Sequence, residues 1–245
     1  MYCIIASKEA QSFGPLGIGG RADELHTICF TDIAAVVSNS PIISYSVARD
    51  NVLPYERAIE EIMKKYTVLP VRFNTIVENE EKIKRILEKE HGRFLDLLNK
   101  MEGKKELSLK VIFKEEAVYK DILGKYEDIR MSKQKMASLP SQKTYSQRME
   151  IGRMVELALQ KEREIYKKDI LDGLAPLAAD VKMHNPYGEL MIINAAFLVE
   201  KDKESEFDRK VNDLSGKYGE KVKFRYVGTL PPFNFVTLVI ETEKY

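Results

Sequence analysis

The residue pattern most suggestive of chemistry is a glycine-rich stretch, Gly17-Ile-Gly19-Gly-Arg-Ala22, which matches the GxGxxA form of a dinucleotide-binding turn. In such turns the glycines let backbone N–H groups approach a pyrophosphate at the N-terminus of a helix. Here the preceding apolar run, residues 2–6, ends well before the first glycine, and the following residues, ELHTICF, have the composition of a strand. We interpret the stretch as a connecting loop and expect no cofactor.

Metal-ligating residues show no pattern of their own. The three histidines, His26, His91 and His184, lie far apart, and none belongs to a HExxH or HxH arrangement that would direct two ring nitrogens to one metal. The two cysteines, Cys3 and Cys29, lie in apolar runs without a CxxC motif, which is typical of buried free thiols. We expect no metal.

Nucleophilic and acid–base chemistry lack a signature as well. The sequence has no GxSxG elbow and no Walker A loop. Its acidic residues alternate with basic ones, as in residues 78–90 and 200–210, a pattern typical of solvated helix faces. The sequence therefore names no catalytic residue, and we predict that the protein is not an enzyme.

Charge and hydropathy exclude two other classes of partner. Lys and Arg number 39 and Asp and Glu 38, so no global field attracts nucleic acid. The basic stretch 130–148 has too few aromatic residues for a nucleic-acid surface. The apolar run at residues 2–6 is stopped by Lys8 and Glu9, and no segment is apolar enough to span a membrane. We expect a cytoplasmic protein.

Hydrophobic periodicity predicts an α+β fold with mixed or antiparallel sheets and long helices. We expect two domains, residues 1–104 and 105–245, with the second in the element order βαβαββ. Residues 128–144 lose the hydrophobic period and are predicted to form a mobile loop. The predicted strands are 2–6, 25–30, 33–38, 67–73, 107–113, 189–199, 222–228 and 234–241, and the predicted helices start at Pro54 and span 80–101, 145–171 and 203–218.

Two short segments carry a resemblance to a known family. They are Thr67-Val-Leu-Pro-Val-Arg-Phe-Asn-Thr75 and Gly228-Thr-Leu-Pro-Pro-Phe-Asn-Phe-Val236. They resemble the LPVRFGT-like and GPxPPYSF-like stretches of the gas vesicle proteins GvpF and GvpL, and the order and spacing of elements over nearly the whole chain are also similar. The motif residues, as family determinants and a possible partner-binding surface, are Leu69, Pro70, Val71, Arg72, Phe73, Pro231, Pro232 and Phe233.

The sequence departs from the family pattern at four positions: Asn74 replaces the usual glycine, Phe233 and Asn234 replace Tyr and Ser, and Tyr55 replaces a frequent His. Asn tolerates a positive φ better than most residues, so the turn at position 74 can persist. Pro70 cannot donate to a ladder, which places its strand at an edge or bulge. Whether these motifs determine the fold or bind a partner stays open at this point.

The resemblance implies a function that the residues alone do not. It implies an accessory or minor structural protein required for gas vesicle formation, which associates with the vesicles, binds the hydrophobic shell protein and other accessory proteins, and limits shell-protein aggregation. It also implies that the C-terminal domain is a modified ferredoxin-like sandwich. The competing hypothesis is a small-molecule-binding regulatory protein, because paired α+β sandwiches often hold ligands.

Overall fold

The chain folds into two units, which the computed structural model describes over residues 1–21, 23–138 and 145–244. The first unit comprises Met1–Leu107 together with Gly228–Tyr245, and the second comprises Ser108–Val227. Both contain helices packed with a sheet, so the predicted α+β class is confirmed. No helix within the described residues is long and apolar enough to cross a bilayer.

The first unit is built on a five-stranded sheet in the order β2-β3-β4-β1-β5. The predicted strands 25–30 and 33–38 are confirmed and pair as a hairpin, with Leu25 opposite Ser38 and Phe30 opposite Ile33. Strand β1 pairs antiparallel with both β4 and β5. The strands are β1 (Cys3–Ile5), β2 (Ser12–Gly14), β3 (Leu25–Phe30), β4 (Ile33–Ser38) and β5 (Val68–Pro70).

Two helices complete this unit, α1 (Arg49–Met63) and α2 (Glu80–Met101). Asn79 is the N-cap of α2, because its side chain accepts a hydrogen bond from the Lys82 backbone N–H at 2.9 Å. The apolar stripe of α2 is buried as its period of three and four predicts. The stripe consists of Ile83, Ile86, Leu87, Phe94, Leu98 and Met101.

Helix α1 starts earlier than predicted. It begins at Arg49, so Pro54 lies inside the helix and not in its first turn. The prediction missed this because the buried face starts only at Tyr55, and the preceding residues carry no buried stripe. The first residue of this buried face is the aromatic Tyr55.

The second unit is organised around a four-stranded sheet in the order β7-β8-β6-β9. With the helices inserted, the element order is βαββαβ, which is compatible with the ferredoxin-like sandwich that the resemblance implied. Strands β6 and β9 continue across the boundary into the first unit. The elements are β6 (Lys104–Phe113), α3 (Glu115–Lys125), α4 (Glu127–Ala137), α5 (Tyr145–Leu174), β7 (Asp180–Met183), β8 (Met191–Glu200), α6 (Glu204–Tyr218) and β9 (Val222–Leu230).

The predicted order βαβαββ was wrong at two strands. Strand β7 was missed because it has only four residues, three of them exposed, and so carries no apolar alternation. Residues 234–241 form no strand; they contribute one isolated parallel bridge between Leu238 and Val71. Both errors concern short pairings that depend on tertiary contacts and leave a weak local pattern.

The predicted loop at 128–144 is largely helical. Helix α4 covers residues 127–137, and the prediction missed it because Ile129 is its only buried residue, which leaves no readable stripe. The remaining part of the predicted loop, residues 139–144, lies outside the described residues. Helix α5 extends to Leu174, slightly beyond the predicted end.

The C-terminal segment, Gly228–Tyr245, belongs to the first unit. The physical reason is backbone pairing: the Leu238 N–H donates to the Pro70 carbonyl at 2.8 Å, and the Arg72 N–H donates to the Leu238 carbonyl at 2.8 Å. The first unit is therefore assembled from two separate stretches of sequence. That the chain consists of two domains stays a prediction.

The tip of the β3–β4 hairpin is tied to α2 by a charged contact. His91 Nε2 donates to the Asp32 carboxylate at 2.6 Å, and Thr31 Oγ1 donates to the same oxygen at 3.0 Å. The hydrogen bond from His91 holds the pKa of the Asp32 carboxyl below its usual value. A carboxyl whose pKa is lowered by folding stabilises the fold above its unfolded pKa of about 3.9 and loses this contribution as pH falls.

We predict that His91→Ala lowers the melting temperature near neutral pH and that this difference from the unmodified protein shrinks as pH falls below about 4. Thermal unfolding followed by circular dichroism between pH 7 and pH 3 measures it. His184→Ala, at an exposed position, serves as control. A destabilisation by His91→Ala that is constant over this range would show that the Asp32 contact does not contribute.

Candidate partner-binding site

The first motif forms the outer strand of the first unit and its continuation. Leu69 and Val71 are fully buried, and Pro70 lies opposite Cys3 in the terminal strand of the order, as its missing N–H predicted. The Val71 N–H donates to the Tyr2 carbonyl at 2.9 Å. The opposite side of the segment pairs with Leu238, so the backbone of this motif is held from two directions.

An aromatic cluster joins the first motif to the second. Tyr55 lies at its centre, 5.6 Å from the ring of Tyr2, 5.3 Å from Phe73 and 6.4 Å from Phe233, measured between ring centroids. Its hydroxyl donates to the buried carbonyl of Val71. Burial raises the pKa of Tyr55 far above its usual value, so the phenol stays protonated and remains a donor.

The second motif is anchored by a buried carboxylate. Pro231 and Pro232 are buried, and the chain turns after them because the Val236 N–H donates to the Pro232 carbonyl at 2.8 Å. Glu106, only 1% exposed, accepts hydrogen bonds from the backbone N–H of Asn234 at 2.9 Å and from its side-chain amide at 2.5 Å. An Asn at position 234 thus supplies two donors to one buried acid.

Arg72 combines a structural backbone with a free side chain. Its N–H donates to Leu238, and its carbonyl accepts from the N–H and hydroxyl of Thr75 at 3.2 and 2.6 Å. The side chain is exposed, and among the described residues its guanidinium makes no hydrogen bond and no ion pair. Because the Arg72 side chain is exposed to solvent, it carries no free-energy cost of burying an unpaired charge.

Asn74 holds a neighbouring segment, residues 44–45, by two hydrogen bonds. Its φ of 66° is in the left-handed region, so the turn persists without the family's glycine. Its side chain accepts a hydrogen bond from the Tyr45 backbone N–H at 3.0 Å and donates to the Ser44 hydroxyl at 2.9 Å. Tyr45 is buried, and its hydroxyl is paired with Ser40 at 2.6 Å. A glycine at position 74 could not make these bonds.

These elements form a groove, which we call the motif groove, of about 670 Å³. One wall comes from the segment held by Asn74, the other comes from Val239 and Ile240, which follow the paired residue Leu238, and Phe73 also belongs to the lining. Residues 70–74 thus fix both walls. The lining residues are Ile42, Ile43, Ser44, Val47, Val52, Arg72, Phe73, Asn74, Thr75, Ile76, Val239, Ile240 and Thr242.

The motif groove is suited to binding an apolar surface. Four lining residues are large, apolar and exposed, and exposed apolar side chains grouped in this way are typical of protein interaction sites. Their exposed fractions are 71% for Ile42, 52% for Ile43, 87% for Val47 and 55% for Val239. Across the residues that the structure describes, no three His, Cys, Asp or Glu side chains are placed to hold a metal ion.

The structure separates the predicted motif residues by role. Leu69, Pro70, Val71, Pro231 and Pro232 are buried, Phe73 and Phe233 are partly buried in the aromatic cluster, and Arg72 alone is exposed. The two motifs, distant in sequence, share this cluster. That the motif residues bind a partner stays a prediction.

Sequence reasoning missed several residues of the site. Glu106 gave no signal because it is out of phase with the buried alternation of Leu107, Leu109 and Val111 in β6. The apolar run at Ile42 and Ile43 was visible, but nothing local shows that it is exposed.

The glycine-rich stretch lacks the helix that follows a dinucleotide-binding turn. It is followed by strand β3 and not by a helix, as expected, and Gly19 instead lies against the ring of Tyr45, where a Cβ would come within 2.9 Å of Cε1. Its last residue, Ala22, lies outside the described residues.

Comparison with known proteins gives a consistent result. A family model described as gas vesicle synthesis protein GvpL/GvpF matches residues 1–237. Gas vesicle protein F of Nostoc sp. is 27% identical over 197 residues, covering 79% of this chain and 80% of that protein. Gas vesicle protein F of Streptomyces sp. is 26% identical over 221 residues, covering 90% of this chain and 91% of that protein.

Solved structures show the same fold. The crystal structure of the gas vesicle protein GvpF from Anabaena sp. superimposes with a TM-score of 0.83 at 24% identity, covering 98% of each chain. That of GvpF from Microcystis aeruginosa gives a TM-score of 0.77 at 21% identity, covering 97% of this chain and 98% of that one. At these identities the likeness concerns the fold.

Tyr55→Phe should lower the free energy of unfolding by about 1–3 kcal/mol, because it leaves the buried Val71 carbonyl without its hydroxyl donor while the ring packing is kept. Urea unfolding measures this loss. Tyr187→Phe, at a residue that is 88% exposed, is the matched control and should change nothing. Equal stability of the two variants would refute the role of the Tyr55 hydroxyl.

Asn74→Gly should lower the free energy of unfolding by no more than about 0.5–1.5 kcal/mol, because two hydrogen bonds are lost but glycine adopts φ 66° freely, whereas Asn74→Ala should cost about 1–2 kcal/mol more. In both variants the amide of Tyr45 should exchange faster with solvent, because its acceptor is lost. Hydrogen exchange followed by NMR measures this. Unchanged exchange at Tyr45 in the glycine variant would mean that Asn74 does not hold the segment.

Proposed function

Because the chain belongs to the gas vesicle synthesis protein GvpL/GvpF family, we propose that it is a non-enzymatic accessory protein that binds the hydrophobic shell protein and limits its aggregation during gas vesicle formation. The proposed contact surface is the motif groove. The proposal includes other gas vesicle accessory proteins as partners and a cytoplasmic location in association with the vesicles.

The observation that carries the proposal is the set of exposed apolar side chains in the motif groove, Ile42, Ile43, Val47 and Val239. Residues 70–74 hold both walls in place, so the groove is formed before a partner arrives. A preformed site binds at a lower entropic cost than one that must be ordered. The residues of the first family motif thus also hold the apolar side chains of the groove in position.

The size of the surface fits a transient contact. Full burial of one Val, Leu or Ile side chain contributes about 1.5–3 kcal/mol, and these side chains are already partly covered. Part of the gain offsets the loss of translational and rotational freedom. We therefore expect binding in the micromolar range, weak enough to release a shell subunit to the growing wall.

A non-catalytic role agrees with the chemistry of the groove. Its described lining residues include no carboxylate, histidine or cysteine, and their hydroxyl groups belong to Ser44, Thr75 and Thr242, none of which has a base beside it among them. Arg72 is the only titratable residue in this described lining, and a guanidinium keeps its proton in proteins. The side chains of the motif groove are therefore suited to binding a partner.

The competing hypothesis is small-molecule binding. A cavity of about 200 Å³ beside Tyr2, Tyr45 and Asn74 in the first unit lies below the range of about 300–1,000 Å³ typical of ligand pockets, whereas the motif groove, at about 670 Å³, lies within it. The exposed apolar side chains of the groove favour a protein surface over a small molecule. A ligand that raised the melting temperature of the purified protein would favour this hypothesis.

The test compares two double variants for binding to purified shell protein. Ile42→Ser with Ile43→Ser should weaken binding about tenfold, or about 1.4 kcal/mol, since it removes part of the apolar contact. Leu157→Ser with Ile165→Ser, at positions 56% and 53% exposed on α5, is the matched control and should bind normally. Light scattering measures shell-protein aggregation, and fluorescence anisotropy measures binding.

The proposal would be wrong if the unmodified protein neither bound the shell protein nor reduced its aggregation. It would also be wrong in its choice of surface if the two double variants weakened binding equally. Circular dichroism of both variants ensures that the comparison is made between folded proteins.

A further inference from the structure

The motif groove has one charged residue among apolar and neutral ones. Among its described lining residues only Arg72 carries a charge. Arg72 belongs to the lining, and its backbone is fixed by hydrogen bonds with Leu238 and Thr75, so the fold sets where its side chain starts. Any segment that occupies the groove comes close to this cation.

A free guanidinium at a groove constrains what the groove can accept. An occupant that covers Arg72 without neutralising it would strip water from an unpaired charge, which is costly. A carboxylate placed there would form a charge-assisted and often bidentate pair, which compensates the lost hydration. Apolar walls and one unpaired cation are therefore complementary to an apolar segment that carries an acidic residue.

We propose that the occupant of the motif groove is a partner segment whose apolar side chains contact Ile42, Ile43 and Val239 and whose Asp or Glu carboxylate pairs with Arg72. This inference rests on the proposed function for the identity of the partner, the shell protein, and adds the chemistry by which a segment of it is selected. The apolar walls supply affinity, and the ion pair supplies register and specificity.

Helix α2 offers a matched control for the charge. Arg85 is exposed there, outside the groove lining, so Arg85→Gln changes the net charge by the same amount as Arg72→Gln. Any effect of overall charge on binding must be equal in the two variants. An effect specific to the groove must appear in the Arg72 variant alone.

The experiment measures binding of purified shell protein at several salt concentrations. Arg72→Gln should weaken binding about tenfold at low salt and flatten its salt dependence, because one ion pair is lost. Arg72→Lys, which keeps the charge without the bidentate fork, should lose less, and Arg85→Gln should bind normally.

Normal binding and salt dependence of Arg72→Gln would overturn the inference. The proposed function would survive that result if Ile42→Ser with Ile43→Ser still weakened binding.

If the unmodified protein does not bind the shell protein, the proposed function fails and a chemical probe decides the inference. Decanoate carries an apolar chain and a carboxylate, and decanamide is its neutral counterpart; methyl NMR shifts of Ile42, Ile43 and Val239 measure their binding. We expect decanoate to bind several-fold more tightly, and Arg72→Gln to abolish this preference. Equal binding of the two probes, or none, would overturn the inference.

Discussion

The first unit depends on the backbone pairing of residues 70–72 from two sides. On one side the segment pairs with Tyr2 and with Cys3 of β1, and on the other it exchanges hydrogen bonds with Leu238. Pro70 contributes only a carbonyl, and that carbonyl accepts the Leu238 N–H. This pairing brings the second motif to the first, places Phe233 against Tyr55, and sets Val239 as a wall of the groove.

Elements with a strong local pattern could be predicted from the sequence. Helix α2, strands β3 and β4 and the apolar strand β8 are confirmed, because burial leaves a pattern that can be read. Helix α4 and strand β7 bury too few side chains to leave such a pattern. The position of residues 228–245 in the first unit depends on a single bridge, a few hydrogen bonds and the contact of Phe233 with Tyr55.

The residues of the site likewise divide into those that the sequence predicts and those that it does not. The prolines make both motifs recognisable in the sequence. The position of Pro70 in a terminal strand follows from its missing backbone N–H. The exposure of Arg72, the buried acid Glu106 and the hydrogen bonds of Asn74 are properties of the assembled structure. Each depends on a partner more than 25 residues away in sequence or on the absence of one, so no local pattern encodes it.

The discontinuous composition of the first unit has a consequence for synthesis on the ribosome. Residues 108–227 of the second unit emerge before Leu238 and Val239, so most of the protein can fold while the outer strand still lacks its second pairing partner. The motif groove closes only when residues beyond 238 leave the exit tunnel. A nascent chain therefore carries an incomplete groove until its own translation has passed this point.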